Sequence, residues 1–175
     1  MNGKIYFKSA NNLRLCGIWS WPERSNKKVI ILAHGISVDK EEDGLFAPLA
    51  KKLTQLGYSV FRFDFRGHGE SEGLSIDMTV SGELLDLEAA LNEVRRKKFQ
   101  EIGILGASFG GGIANIFASK NWKKFDFLCL WYPVLNFDHT FINPYLQWLK
   151  NRIKNMKSEL YEKGWTMLPN ERPFK

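Results

Sequence analysis

Long apolar runs are missing from this chain. The longest, Val29–Ala33 and Phe127–Tyr132, fall far short of the roughly 20 residues a membrane helix needs. The first residues, Met1-Asn2-Gly3-Lys4-Ile5, hold no apolar stretch and no small-residue cleavage site, so no secretory leader is expected. Cysteine is scarce. Cys16 and Cys129 lie far apart among apolar neighbours, which predicts two reduced core thiols in a cytoplasmic protein rather than a disulfide framework. Repeats, low-complexity stretches, zinc-finger spacing and aromatic RNA-binding motifs are all lacking. No metal, no cofactor and no nucleic-acid partner is expected.

What is present suits one domain: 175 residues, 44% apolar and 25% charged. The net charge of +6 is uneven. Residues 1–119 hold 15 Lys and Arg against 14 Asp and Glu, whereas residues 120–175 hold 10 against 5. That second stretch also carries 12 of the 24 aromatic residues. A solvated helix face accounts for its basic surplus.

Lys4–Lys8, a polar turn at 9–12 and Leu13–Trp19 predict a β-hairpin. Val29–Ala33, apolar at every position, predicts a strand buried on both faces of a parallel sheet. Leu45–Leu56 has helical spacing and is stopped by Gly57. Tyr58–Phe65, Glu101–Ala107 and Phe125–Pro133 read as strands, and Ser81–Lys98 and Phe109–Ser119 as helices. In the helix over 81–98, Glu83, Asp86 and Glu88 suit the N-terminal dipole and the basic run 95–98 suits the C-terminal one. Strands alternating with helices predict an α/β fold, a mostly parallel sheet covered by helices on both faces, with the hairpin as an antiparallel edge.

Gly106-Ala107-Ser108-Phe109-Gly110 fits G-x-S-x-G between a predicted strand and a predicted helix. The turn is sharp enough that side chains at 106 and 110 would collide. The serine hydroxyl stands above the sheet edge, where the helix points free N–H groups. An acyl-transfer enzyme needs two such donors where the carbonyl oxygen becomes negative. Phe109, after the nucleophile, would give one. Ile36, in the loop that follows His34-Gly35, is the candidate for the other.

With these pieces in place the chain resembles an α/β-hydrolase, in particular the bacterial serine esterases of the cinnamoyl (feruloyl) type. The resemblance runs from about residue 4 to 137. It rests on His34-Gly35, on Asp64-Phe65-Arg66-Gly67-His68-Gly69-Glu70-Ser71 (shared with monoacylglycerol lipases), on Met78-Thr79-Val80 with Glu83 and Asp86, and on the turn at 106–110. It implies a serine hydrolase acting on small-molecule carboxylic esters through an acyl-enzyme. Ser108 would be the nucleophile, Ile36 and Phe109 the oxyanion hole, and Gly106 and Gly110 the elbow glycines. In that family Asp64, Arg66 and His68 hold a tight turn, so His68 is expected to be structural and not the general base.

The family's acid and histidine follow its seventh and eighth strands. After Ser108 the single histidine is His139, just past the sixth strand and with Asp138 beside it, and no seventh or eighth strand pattern follows. Residues 143–163 read instead as a helix with one apolar face, and 169–175 as an irregular end with two prolines. The expectation is therefore an incomplete α/β-hydrolase fold of six strands over 1–137, then the start of a cap-like helical segment over 138–175. One short loop would have to aim both Asp138 and His139, so a loop role is expected for His139. Three readings stay open: an ester hydrolase that is inactive or incomplete as this chain, a non-catalytic binding protein of hydrolase descent, and a half-enzyme completed by a second polypeptide. The sixth strand, left as an apolar edge, is expected to drive self-association.

Overall fold

The computed structural model describes residues 2–137 together with 139, 140, 143, 144 and 147. Among the described residues, six strands and three helices follow the expected order. They are β1 (Asn2–Lys8), β2 (Arg14–Ser20), β3 (Lys28–Ala33), α1 (Phe46–Gln55), β4 (Ser59–Phe63), α2 (Val80–Arg95), β5 (Glu101–Ala107), α3 (Ser108–Asn121) and β6 (Phe127–Trp131). The strands form one sheet in the order β1-β2-β4-β3-β5-β6. β1 pairs β2 antiparallel, β2 pairs β4 antiparallel, and β4, β3, β5 and β6 run parallel.

Alternation along the strands divides the core. Val29, Ile31 and Ala33 of β3, with Phe61 and Phe63 of β4 and Ile104 of β5, face Leu87, Leu91 and Val94 of α2 and Ile113 and Phe117 of α3. Ile30 and Leu32, pointing the other way, meet Val60 and the Phe46 and Ala50 side chains of α1. Each fully buried Leu, Ile or Phe contributes about 1.5–3 kcal/mol, so the α2–α3 face carries most of the cohesion. Gly57 ends α1 with φ +89, a backbone conformation that any side chain would strain.

Three details differ from the sequence reading. α2 is capped by Thr79, whose hydroxyl accepts the Gly82 amide, two residues before the expected start. α3 begins at the serine itself. Cys129 is exposed, while Cys16 is buried, so only one thiol belongs to the core. The reason is its place on β6, which pairs β5 alone among the described residues and is buried on neither face at that position. Asp138, the expected helix over 143–163 (apart from 143, 144 and 147) and the end at 169–175 lie outside the described residues.

Candidate active site

Ser108 sits where β5 turns into α3, with φ +49. That left-handed conformation is uncommon for a residue with a side chain and persists only when the surroundings impose it. The surroundings are backbone. A Cβ on Gly106 would stand 2.6 Å from the Gly110 carbonyl oxygen, and one on Gly110 would stand 2.5 Å from the Ala33 oxygen and collide with that of His34. On the other side the chain after β6 closes over the turn. The Val134 amide donates to the Ser108 carbonyl at 2.8 Å, Pro133 packs on Gly111, and the Phe137 ring meets Phe109 edge-on at 5.4 Å. The serine is held between the end of β3 and the exit of β6.

The loop after β3 forms the facing wall. His34 is buried and neutral: burial holds its pKa down at about 3. Its Nε2 accepts the Phe65 amide at 3.0 Å, and its Nδ1–H then donates to the Gly35 carbonyl at 2.7 Å. The Gly35 amide donates to Glu42 Oε2 at 2.5 Å. Both polar groups of Gly35 are thus committed. The Ile36 amide has no partner among the described residues. A Cβ on Gly35 would meet Ser108 Cβ at 3.2 Å, so this wall runs close beside the Ser108 side chain. Phe109 supplies a first-turn amide of α3 at the same corner.

The loop after β4 braces the arrangement. Asp64 is fully buried and accepts the Lys40 amide, Lys40 Nζ and the Glu70 amide at 2.7–2.9 Å. Arg66 forms a two-pronged pair with Asp86 of α2, from Nε at 2.9 Å and from a terminal nitrogen at 2.7 Å. His68 Nδ1 bonds the Arg66 carbonyl at 2.8 Å, inside its own turn. A cleft of about 700 Å³ opens between Ile36, Asp39 and Asp43 of one loop and His68, Gly69 and Met78 of the other.

The structure therefore brings Ser108, Gly106, Gly110, Ile36 and Phe109 together. It does not bring His139 to them: that residue is exposed, and its contact is through its amide, to Asn136 Oδ1. Among the described residues no side chain hydrogen-bonds Ser108 Oγ. Among them there is also no group of three or more His, Cys, Asp or Glu able to hold a metal ion. No described helix is long and apolar enough to cross a membrane. Glu42 is the residue that sequence reasoning missed. It stands among acids, and nothing in the order Glu41-Glu42-Asp43 says which one turns inward. Glu42 is only 6% exposed, and burial pushes its pKa up.

A family profile described as serine aminopeptidase, S33, matches residues 24–171. Among curated proteins the chain is similar to a monoacylglycerol lipase of Mycolicibacterium smegmatis, 26% identical over 74% of this chain and 45% of that one. It is also similar to a monoglyceride lipase of Rattus norvegicus, 32% identical over 69% and 39%. The chain thus spans less than half the length of these relatives. Among solved structures, an esterase of Pyrococcus furiosus superposes with a TM-score of 0.72 at 26% identity, covering 86% of this chain and 57% of that one. Est1E of Butyrivibrio proteoclasticus, solved with ferulic acid bound, superposes at 0.65 over 71% and 50%. Its identity of 24% speaks for the fold alone.

Proposed function

Because the chain belongs to the serine aminopeptidase S33 family and has the α/β-hydrolase fold, we propose that its site is built for acyl transfer from a small-molecule carboxylic ester to Ser108. The serine oxygen bonds to the carbonyl carbon, and the carbonyl electron pair moves onto oxygen. The Ile36 and Phe109 amides hold the oxyanion. Collapse expels the alcohol and leaves an acyl-serine, which water cleaves to the acid. The observation that carries this reading is Ser108 at φ +49, seated against a wall whose Ile36 amide has no partner among the described residues.

The serine proton needs an acceptor, and the acceptor needs an orienting acid. The described residues offer neither in contact with Ser108. Turnover by this chain alone is therefore expected to be close to background, because loss of the triad histidine costs on the order of a millionfold. A second reading, completion of the site by another polypeptide or by a second copy, is supported by β6, whose outer edge is unpaired among the described residues. The free thiols support a cytoplasmic setting.

The test is labelling with a fluorophosphonate together with hydrolysis of short p-nitrophenyl esters. Ser108 should be labelled slowly, Ser108→Ala not at all, and His139→Ala as well as the parent. Absence of any labelling would favour a non-catalytic binding protein. Robust turnover lost in both Ser108→Ala and His139→Ala would make His139 the base.

A further inference from the structure

Glu42 is a buried carboxylate, and the acyl-transfer scheme above gives it no task. Its backbone is left-handed, with φ +47, and the same holds for Asp43 at +51. Two successive left-handed residues reverse the chain, so that Glu42 faces the serine wall while Asp43 stays exposed. Its two oxygens then reach opposite sides of the site. Oε2 takes the Gly35 amide at 2.5 Å, and Oε1 accepts the Tyr132 hydroxyl at 3.4 Å. Tyr132 directly follows β6 and stands two residues before Val134, whose amide holds the Ser108 carbonyl. A methyl on Gly35 would lie 3.1 Å from Glu42 Oε1 and 3.2 Å from Ser108 Cβ, so carboxylate and nucleophile flank one point.

We propose that Glu42 is a positioning residue: by taking the Gly35 amide and anchoring to Tyr132, it locks the peptide that presents the Ile36 N–H to the oxyanion. The argument is one of peptide planes. In a trans peptide the C=O and N–H point opposite ways. His34 Nδ1–H holds the Gly35 oxygen, and so turns the Ile36 N–H the other way. That fixes one plane. Glu42 fixes the plane before it, through the Gly35 N–H. With both planes set by side chains, the Ile36 amide has no freedom to swing out of the site. Without Glu42 the Gly35 N–H would be left buried and unbonded, and the loop would rotate to satisfy it. The acceptor matters here, not the charge: a negative group this close opposes a developing oxyanion.

The inference rests on the reading of Ser108 as nucleophile for its rate arm only. Two measurements on the full chain test it. The first is amide exchange at Gly35 by NMR, which needs no reactivity. The parent and Glu42→Gln should protect this amide. Glu42→Ala and Glu42→Asp should exchange it at least a hundredfold faster, the aspartate because it is one methylene too short. The second is the second-order rate of Ser108 phosphonylation. Glu42→Ala and Glu42→Asp should fall at least tenfold, and Glu42→Gln should rescue the rate. Unchanged Gly35 protection in Glu42→Asp would overturn the inference, as would a Gln variant as slow as the Asp variant. If Glu42→Ala does not fold, the Gln and Asp pair decides. If the parent itself takes no phosphonate, the esterase reading falls and exchange at Gly35 alone decides the role of Glu42.

Discussion

β3 and β6 are two short parallel strands of similar apolar content in one sheet, and their fates differ. Every residue of β3 from Val29 to Ala33 is at most 7% exposed. In β6, Phe127 and Trp131 are 38% and 36% exposed, and Leu128 and Leu130 are only half-buried. The difference is one of neighbours. β3 has β4 on one side and β5 on the other, α1 above and α2 and α3 below. β6 has β5 and α3. An apolar strand is buried by its position in the sheet, and its own composition does not state that position.

The strongest break in this contrast would come from Gly110, where the elbow abuts the end of β3. Gly110→Val pushes a branched side chain into the Ala33 and His34 carbonyls, and rigid backbone cannot repack. The expected loss exceeds the ~1–3 kcal/mol typical of overpacking, and the variant should be insoluble or melt more than about 10 °C lower. Next come paired truncations. Ile31→Ala in β3 should cost about 2–5 kcal/mol, and Leu130→Ala in β6 about 1 kcal/mol, read from urea midpoints. Equal costs would mean that β6 is as enclosed as β3.

Burial on the α2 side extends to charge. Glu83 is fully buried, and neither of its oxygens has a hydrogen-bond partner among the described residues. Burial first, and then the Asp86 charge, raise its pKa to about 9, with Arg66 opposing. The folded chain keeps a proton that the unfolded chain releases near pH 4.5, so stability falls as pH rises from about 4.5 to 9. Glu83→Gln should remove that slope, gaining about 2–3 kcal/mol on the parent between pH 5 and 7, as urea melts at several pH values would record. An unchanged slope would show that Glu83 ionises in place. The smallest effect belongs to the edge. Cys129→Lys, at an exposed position of β6, should change stability by less than about 0.5 kcal/mol. Light scattering should nevertheless find the parent associated and the variant monomeric, since a charge on an open strand blocks pairing. A monomeric parent would argue against association through β6.

Much of the fold was legible because it is written locally: in the unbroken apolar run of β3 and in a period near 3.6 in α1 and α2. The G-x-S-x-G turn is legible for the same reason, being five consecutive residues. Long-range facts were not. Cys129 has apolar neighbours in sequence, but its exposure depends on what pairs with β6. Gly111 and Gly112 read as ordinary helix residues, although Pro133 and Val134 crowd them. Thr79 as the cap of α2 lay two residues before the start read from the sequence, outside the apolar pattern used to place the helix. Glu42 is chosen over Glu41 and Asp43 by two backbone torsions and by Gly35, seven residues earlier, and no spacing rule reports torsions.

The bond from the Val134 amide to the Ser108 carbonyl also orders events in time. On a chain growing from its N-terminus, β3, β4 and β5 are complete while the turn at 106–110 still lacks that contact. The strained serine acquires its last backbone anchor only after β6 has emerged and docked on β5, some two dozen residues later. The turn at Ser108 is thus finished by a segment made well after it. Such non-local closure is the slow kind, and until it happens an apolar parallel sheet with an open flank is exposed to its neighbours.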